Sequence, residues 1–187
     1  MITINQHAPD FKEKSLLHGA MKEISLSDYK GKWVILFFYP GDFTFVCPTE
    51  LGDLADNYEK IQALNAEIIS ISTDTHFVHK AWRDASPTIK KIKFPLVADP
   101  AMRVCRDYET LIENEGISLR ASFIINPQGI IKAFEFHDNT IGRSTEEIIR
   151  KLQAAIYTEN HKGEVCPVNW KPNAKTIVQS LDLVGKI

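Results

Sequence analysis

Long apolar runs are absent from this chain. The longest unbroken one covers residues 33–39, far short of the ~20 residues that a membrane-spanning helix needs. Charge of one sign is absent too. A formal net charge of −2 and a pI near 6.3 leave no electrostatic footprint for nucleic acid or for an anionic lipid surface. Cysteine is scarce: there are three, with no C-x-x-C pair, since the residue three after Cys47 is Glu50. The opening residues carry neither a basic region nor a long apolar stretch, so no secretory signal is expected. Few cysteines and no signal argue against a disulfide framework and for a reducing compartment, the cytoplasm. Metal-ligand clusters are lacking as well. His76 and His79 form an H-x-x-H pair, but no third or fourth ligand completes it, and it reads as a surface or capping feature.

What is present is an ordinary globular composition, 44% hydrophobic and 25% charged over 187 residues, enough for one domain with a real core. Strand-like runs fall at 33–39, 67–73, 122–126 and 130–136, with a shorter one at 96–98. The last long pair flanks Asn126-Pro127-Gln128-Gly129, a type I turn with Pro at i+1 and Gly closing it, so the two strands form an antiparallel hairpin. Helical periodicity places Leu51, Leu54, Tyr58, Ile61 and Leu64 on one face of a helix over 48–65. Further helices are expected over 76–85, after capping candidates Thr73, Asp74 and Thr75, over 101–110, and after the capping box Ser144-Thr145-Glu146-Glu147. A helix between the first two strands implies a right-handed parallel crossover. The succession predicts an α/β chain of thioredoxin type with N-terminal and central elaborations. Residues 1–162 form the domain, and 163–187 form an extended C-terminal arm.

The densest chemistry lies in Phe43-Thr44-Phe45-Val46-Cys47-Pro48-Thr49-Glu50. A thiol follows a buried strand and opens an amphipathic helix, with Pro48 in the first turn, where a missing N–H costs nothing. First-turn amides and the helix macrodipole favour negative charge there, so the thiolate is favoured over the thiol. The competing reading is packing, because cysteine is among the most buried residue types. The strand-to-helix junction favours a nucleophile for Cys47, whereas Cys105, between Arg103 and Arg106 in the short helix expected over 101–110, reads as packing.

With Tyr39-Pro40, Leu119-Arg120-Ala121-Ser122-Phe123, Ile141-Gly142-Arg143-Ser144, Gly163-Glu164-Val165-Cys166-Pro167 and Ser180-Leu181-Asp182-Leu183-Val184-Gly185-Lys186-Ile187, the chain resembles the typical two-cysteine peroxiredoxins of the alkyl hydroperoxide reductase type along its whole length. The resemblance implies a peroxidase acting on hydrogen peroxide and small organic hydroperoxides, with peroxynitrite a further candidate. Cys47 would be the peroxidatic cysteine and Thr44 would hold the substrate. Pro40 would shield the site, and Arg120 would favour the thiolate and donate to the peroxide. Glu50 and Arg143 would form a secondary polar network. Cys166 would be the resolving cysteine, bridging to Cys47 of the neighbouring subunit. Such chemistry needs no metal or organic cofactor. It implies a homodimer, seamed along the strand at 130–136 and further assembled as a ring of five dimers. The reductant would be a flavoprotein disulfide reductase or a thioredoxin.

A thiol–disulfide oxidoreductase falls with the missing C-x-x-C. A cysteine hydrolase wants a Cys–His pair, for which His76 and His137 carry no motif. The non-enzyme alternative is a ring-forming holdase or a redox-signalling relay. Family members prone to overoxidation carry Gly-Gly-Leu-Gly before the arginine strand and a tail with Tyr-Phe. Here Glu113-Asn114-Glu115-Gly116-Ile117 stands in the first place and no Tyr-Phe follows Cys166, so a comparatively robust enzyme is expected. Trp33, Trp82 and Trp170 read as packing residues.

Overall fold

Residues 1–186 are described by the computed structural model; Ile187, the last residue of the closing motif above, lies outside them. The chain divides into two units, Met1–Thr145 and the part from Glu146 on. In the first, a hairpin of β1 (Lys12–Leu17) and β2 (Ala20–Ser25) precedes β3 (Trp33–Phe38), α1 (Cys47–Asp56), α2 (Tyr58–Gln62) and β4 (Ala66–Ser72). Next come α3 (His76–Ala85), α4 (Pro87–Lys90), β5 (Leu96–Ala98), α5 (Arg103–Asp107) and a small hairpin, β6 (Leu111–Ile112) with β7 (Ile117–Ser118). The unit ends with β8 (Arg120–Ile125) and β9 (Ile131–His137).

One seven-stranded sheet, ordered β2-β1-β5-β4-β3-β8-β9, organises this unit. Strands β3, β4 and β5 run parallel, and β8 and β9 run antiparallel to their neighbours. This is the thioredoxin-like arrangement, widened at one edge by the N-terminal hairpin. Every residue of β3 and β4 is buried, as expected of strands covered on both faces. Leu36, Phe38, Ile69, Ile71, Phe123 and Ile125 gather on one side with Val104, Cys105 and Tyr108.

The periodic helix expected over 48–65 is two helices. Asn57, at φ −102° and ψ 4°, interrupts the ladder, and its side chain donates to the Asp53 carbonyl at 2.9 Å. The buried face nonetheless continues through Leu51, Leu54, Tyr58 and Ile61, so the hydrophobic pattern survives a break in the hydrogen bonding. The β8–β9 turn closes as predicted, with Gly129 N donating to Asn126 O at 2.8 Å and Gly129 at φ +81°, a backbone glycine adopts without strain. Thr75 caps α3 by accepting from Val78 N.

The second unit is built on α6 (Thr145–Asn160) and a two-stranded ladder of β10 (Glu164–Val165) with β11 (Ile177–Val178). Its residues beyond Gly163, expected to be extended, thus carry a short hairpin of their own, with Trp170 buried. No helix among the described residues is long and apolar enough to cross a membrane.

Candidate active site

Cys47 is the first residue of α1, reached from the end of β3 through the loop 39–46. Val46 at the N-cap offers no side-chain cap, and Pro48 sits in the first turn, as the sequence suggests. Glu50 lies three residues on, so carboxylate and thiol share one face of the helix. The antiparallel pairing of β8 with β3 matches Ala121 to Phe38, which brings Arg120, the first residue of β8, beside the point where β3 ends and α1 begins. Sequence spacing gives no hint of this meeting; the register produces it.

The resulting cluster is buried throughout. Cys47 is fully enclosed, and Arg120, Glu50 and Arg143 are nearly so. Arg120 Nη1 lies 3.3 Å from Cys47 Sγ and donates to Glu50 Oε2 at 2.8 Å. Arg143 donates to Glu50 Oε1 from its backbone N at 2.7 Å and from Nε at 2.9 Å, and from Nη2 to Oε2 at 3.0 Å. Its Nη1 donates to Ala121 O at 2.7 Å, and its guanidinium lies over the Phe37 ring, 3.3 Å from the centroid. Burial alone would raise the Glu50 carboxyl. The hydrogen bonds and charge of Arg143, with the charge of Arg120, outweigh it and hold the group below its ordinary value. Glu50 is therefore an ionised anchor that fixes two guanidinium groups, one of which reaches the sulfur.

Asn139, which sequence reasoning missed, steadies Arg120 from the other side. Arg120 N donates to Asn139 Oδ1 at 3.1 Å, and Arg120 Nε donates to the Asn139 carbonyl at 3.0 Å. No motif flags this residue; it arrives through the Arg120–His137 pairing of β8 and β9.

Other expected residues fall as follows. Pro40 is buried at the end of β3. Thr44 is exposed, and its hydroxyl donates to Gly41 O at 2.8 Å. The preceding Phe43 adopts a left-handed φ of 54° and lays its ring near Trp82, with centroids 6.0 Å apart. Cys166 follows β10 in the second unit as a half-buried free thiol. Cys105 is buried, and burial together with Asp99 pushes its thiol up to about 12, consistent with packing. The H-x-x-H reading needs correction: His79 is wholly buried, with Nδ1 2.7 Å from Asp42 Oδ2 and Nε2 3.2 Å from Val97 O. Asp42 also accepts from the Tyr39 hydroxyl at 2.8 Å. That histidine ties the loop before Cys47 to β5 instead of facing solvent. No cluster of metal-ligating side chains is found among the described residues.

A thioredoxin-like sheet with a single enclosed thiol at the head of α1, and a guanidinium held against its sulfur, defines a cysteine-based enzyme of the peroxiredoxin class. Comparison with known proteins agrees. Residues 4–134 match the AhpC/TSA family, and residues 157–182 match the C-terminal domain of 1-Cys peroxiredoxin, a stretch that in this chain contains Cys166. The alkyl hydroperoxide reductase C of Escherichia coli K12 is 48% identical over the whole length of both chains, and that of Pseudomonas aeruginosa 46%. Among solved structures, Enterococcus faecalis AhpC superposes with a TM-score of 0.86 at 48% identity, covering 89% of this chain and all of that one. The reduced 2-Cys peroxiredoxin of Plasmodium vivax gives 0.88 at 32% identity, covering 94% of this chain and 93% of that one. The chain belongs to the AhpC/TSA family.

Proposed function

We propose that the chain is a thiol-dependent peroxidase that reduces hydrogen peroxide and small organic hydroperoxides, with Cys47 as nucleophile. The observation that carries this reading is Arg120 Nη1 at 3.3 Å from an enclosed Cys47 Sγ, with that arginine anchored by Glu50 and Asn139. The ionised sulfur attacks the terminal peroxide oxygen, the O–O bond breaks, and the leaving oxygen departs with the electron pair and takes a proton. Preorganised donors at the head of a helix and on a fixed guanidinium stabilise the charge that develops on the leaving oxygen. Thr44 is the second donor, turning from Gly41 to the peroxide when substrate binds. Pro40 walls the site.

The product is Cys47 sulfenic acid, which condenses with the Cys166 thiol of the neighbouring subunit to give a disulfide and water. The segment 163–187 is then the functional arm, and an external disulfide reductase, either a flavoprotein or a thioredoxin, restores both thiols. Assembly as dimers and rings is supported by β9 standing at the edge of the sheet with Phe134 and Phe136 partly exposed, and by the large exposed side chains of Phe43, Phe45 and Phe77. The cytoplasm is the proposed setting. Mapping settles the chemistry: the reduced protein is treated with one equivalent of hydrogen peroxide, alkylated, and analysed by mass spectrometry and a non-reducing gel. A dimer band joining Cys47 to Cys166, with Cys105 alkylated only after unfolding, is expected. An untouched Cys47 would overturn the peroxidase reading and leave a holdase.

A further inference from the structure

The strand that leads into Cys166 is held by a single carboxylate. The ladder before it is only two residue pairs long, Glu164 with Val178 and Val165 with Ile177, and a hairpin so short is not stable by itself. Something else keeps it closed. Glu164 Oε2 accepts from the Tyr157 hydroxyl of α6 at 2.8 Å and also from the Thr176 hydroxyl, beside β11. One oxygen thus bolts the strand that ends at Cys166 both to the helix beneath and to the segment across. These hydrogen bonds draw the Glu164 carboxyl below its ordinary value, as expected when donors face the charged form.

Tyr157 serves the other flank as well. Trp170, four residues after the thiol, is buried with its ring 5.0 Å from that of Tyr157. Its indole N–H donates to Ala174 O at 3.2 Å, and its carbonyl accepts from Arg150 Nη1 at 3.2 Å. Cys166 is therefore bracketed at 164 and at 170, and both brackets converge on Tyr157.

We propose that Tyr157, Glu164 and Thr176 form a latch that sets how often Cys166 is released to resolve the sulfenic acid, making them positioning residues for the second half of the reaction. The idea rests on the two-cysteine reading above. Cys47 sulfenic acid has two fates: condensation with the Cys166 thiol, which expels water, or oxidation by a second hydroperoxide, which transfers an oxygen to give the sulfinic acid and an alcohol or water. The latch governs the first and leaves the second untouched, so its strength decides how much enzyme is lost at high peroxide. Peroxide reduction by Cys47 itself does not involve it.

The test uses the full-length protein and rapid mixing with hydrogen peroxide, quenched by acid and read by mass spectrometry for sulfenic acid, disulfide and sulfinic acid. Tyr157→Phe and Thr176→Val each remove a latch bond, Glu164→Gln removes the charge that strengthens both, and Thr176→Ser keeps the hydroxyl. A hydrogen bond to a charged group at a partly exposed site predicts an opening about three-fold or more easier when it is lost. The first three variants should form the disulfide faster by that factor and yield less sulfinic acid at the same peroxide dose. Their sulfenic acid should form at the unmodified rate, and Thr176→Ser should match the unmodified protein throughout. In parallel, the Cys166 thiol of the reduced variants should be alkylated faster by iodoacetamide, which reports release without any turnover. Disulfide formation that is unchanged or slower in Tyr157→Phe and Thr176→Val, with Cys166 alkylation also unchanged, would overturn the latch alone. Failure of the unmodified protein to form any Cys47–Cys166 bond would overturn the two-cysteine reading and the latch with it.

Discussion

Replacing Glu50 with Gln tests whether one buried carboxylate organises the site. In the folded protein its two oxygens receive four donors, three from Arg143 and one from Arg120. Glutamine has nearly the same shape but one carbonyl oxygen and one NH2 group. Whichever way the amide is turned, two donors meet another donor. Losing hydrogen bonds to a charged group costs about 1.5–3 kcal/mol each, and removing one partner from a buried ion pair costs about 3–5 kcal/mol in all. The substitution removes the carboxylate that both guanidinium groups share, so a loss of about 3–5 kcal/mol is expected against the ~5–15 kcal/mol of a typical fold. With an m-value of about 2 kcal/mol per molar urea, the midpoint would fall by about 2 M.

Activity should fall as well, because Arg120 keeps Asn139 but loses Glu50. The second-order rate with hydrogen peroxide, followed by stopped-flow fluorescence, should drop by about 10- to 100-fold, less than for outright loss of a transition-state donor. The pH dependence carries a sign. The Glu50 carboxyl is held below its ordinary value in the folded chain, so the fold binds that proton less readily than the unfolded chain does. Its contribution is present at neutral pH, above the ordinary carboxylate value of ~4.3, and is lost as the pH falls through the lower folded value. The unmodified protein should lose this portion of its stability on acidification, and the Gln variant, already without it, should show a shallower acid limb. A variant within 1 kcal/mol of the parent by urea and within two-fold in rate would refute the account.

Arg120→Lys keeps a charge but not the fork that reaches sulfur, Glu50 and Asn139 together, so the peroxide rate should fall about 10²–10³-fold in the same stopped-flow assay. Cys105, whose thiol is pushed up to about 12, should resist iodoacetamide at pH 8 while Cys166 reacts. Because its value is raised in the fold, the stability it contributes is full below the ordinary thiol range. It should decline between about 9 and 12 as the unfolded chain ionises first, which urea melts across that range can measure. Gly52→Ala should destabilise by about 1–3 kcal/mol, since an added Cβ would stand 2.7 Å from Thr88 Cγ2, where α1 approaches α4. Thr88→Ser, which deletes that methyl group, should restore most of the loss in thermal melts.

Much of the architecture is legible in local pattern. The apolar run of β3, the Asn126-Pro127-Gln128-Gly129 turn and the Thr75 cap each follow from rules that act over a few residues. The break at Asn57 is not, because hydrophobic periodicity reports which face is buried and is silent about whether the ladder of backbone bonds is continuous. The hairpin at 164–178 escaped for a related reason: a two-pair ladder has no periodicity to read, and it is held by Glu164 and by Trp170 packing. His79 was misread because an H-x-x-H spacing looks the same on a solvated helix face as on one whose second histidine is driven inward to meet Asp42.

For the site, the division is sharper. The sequence by itself determined the nucleophile's local setting, a thiol at the head of a helix after a buried strand, since strand, proline and helix are contiguous in the chain. Glu50 follows from the same helix, one turn on. The meeting of Arg120, Arg143 and Asn139 with that helix was decided only by the tertiary structure. They come from the start of β8 and the segment after β9, and the antiparallel register of β8 on β3 carries them to the sulfur. A charge worth little on a solvated surface becomes decisive there, because the fold excludes water from the cluster and leaves each ion only its partners to compensate for the hydration it has lost.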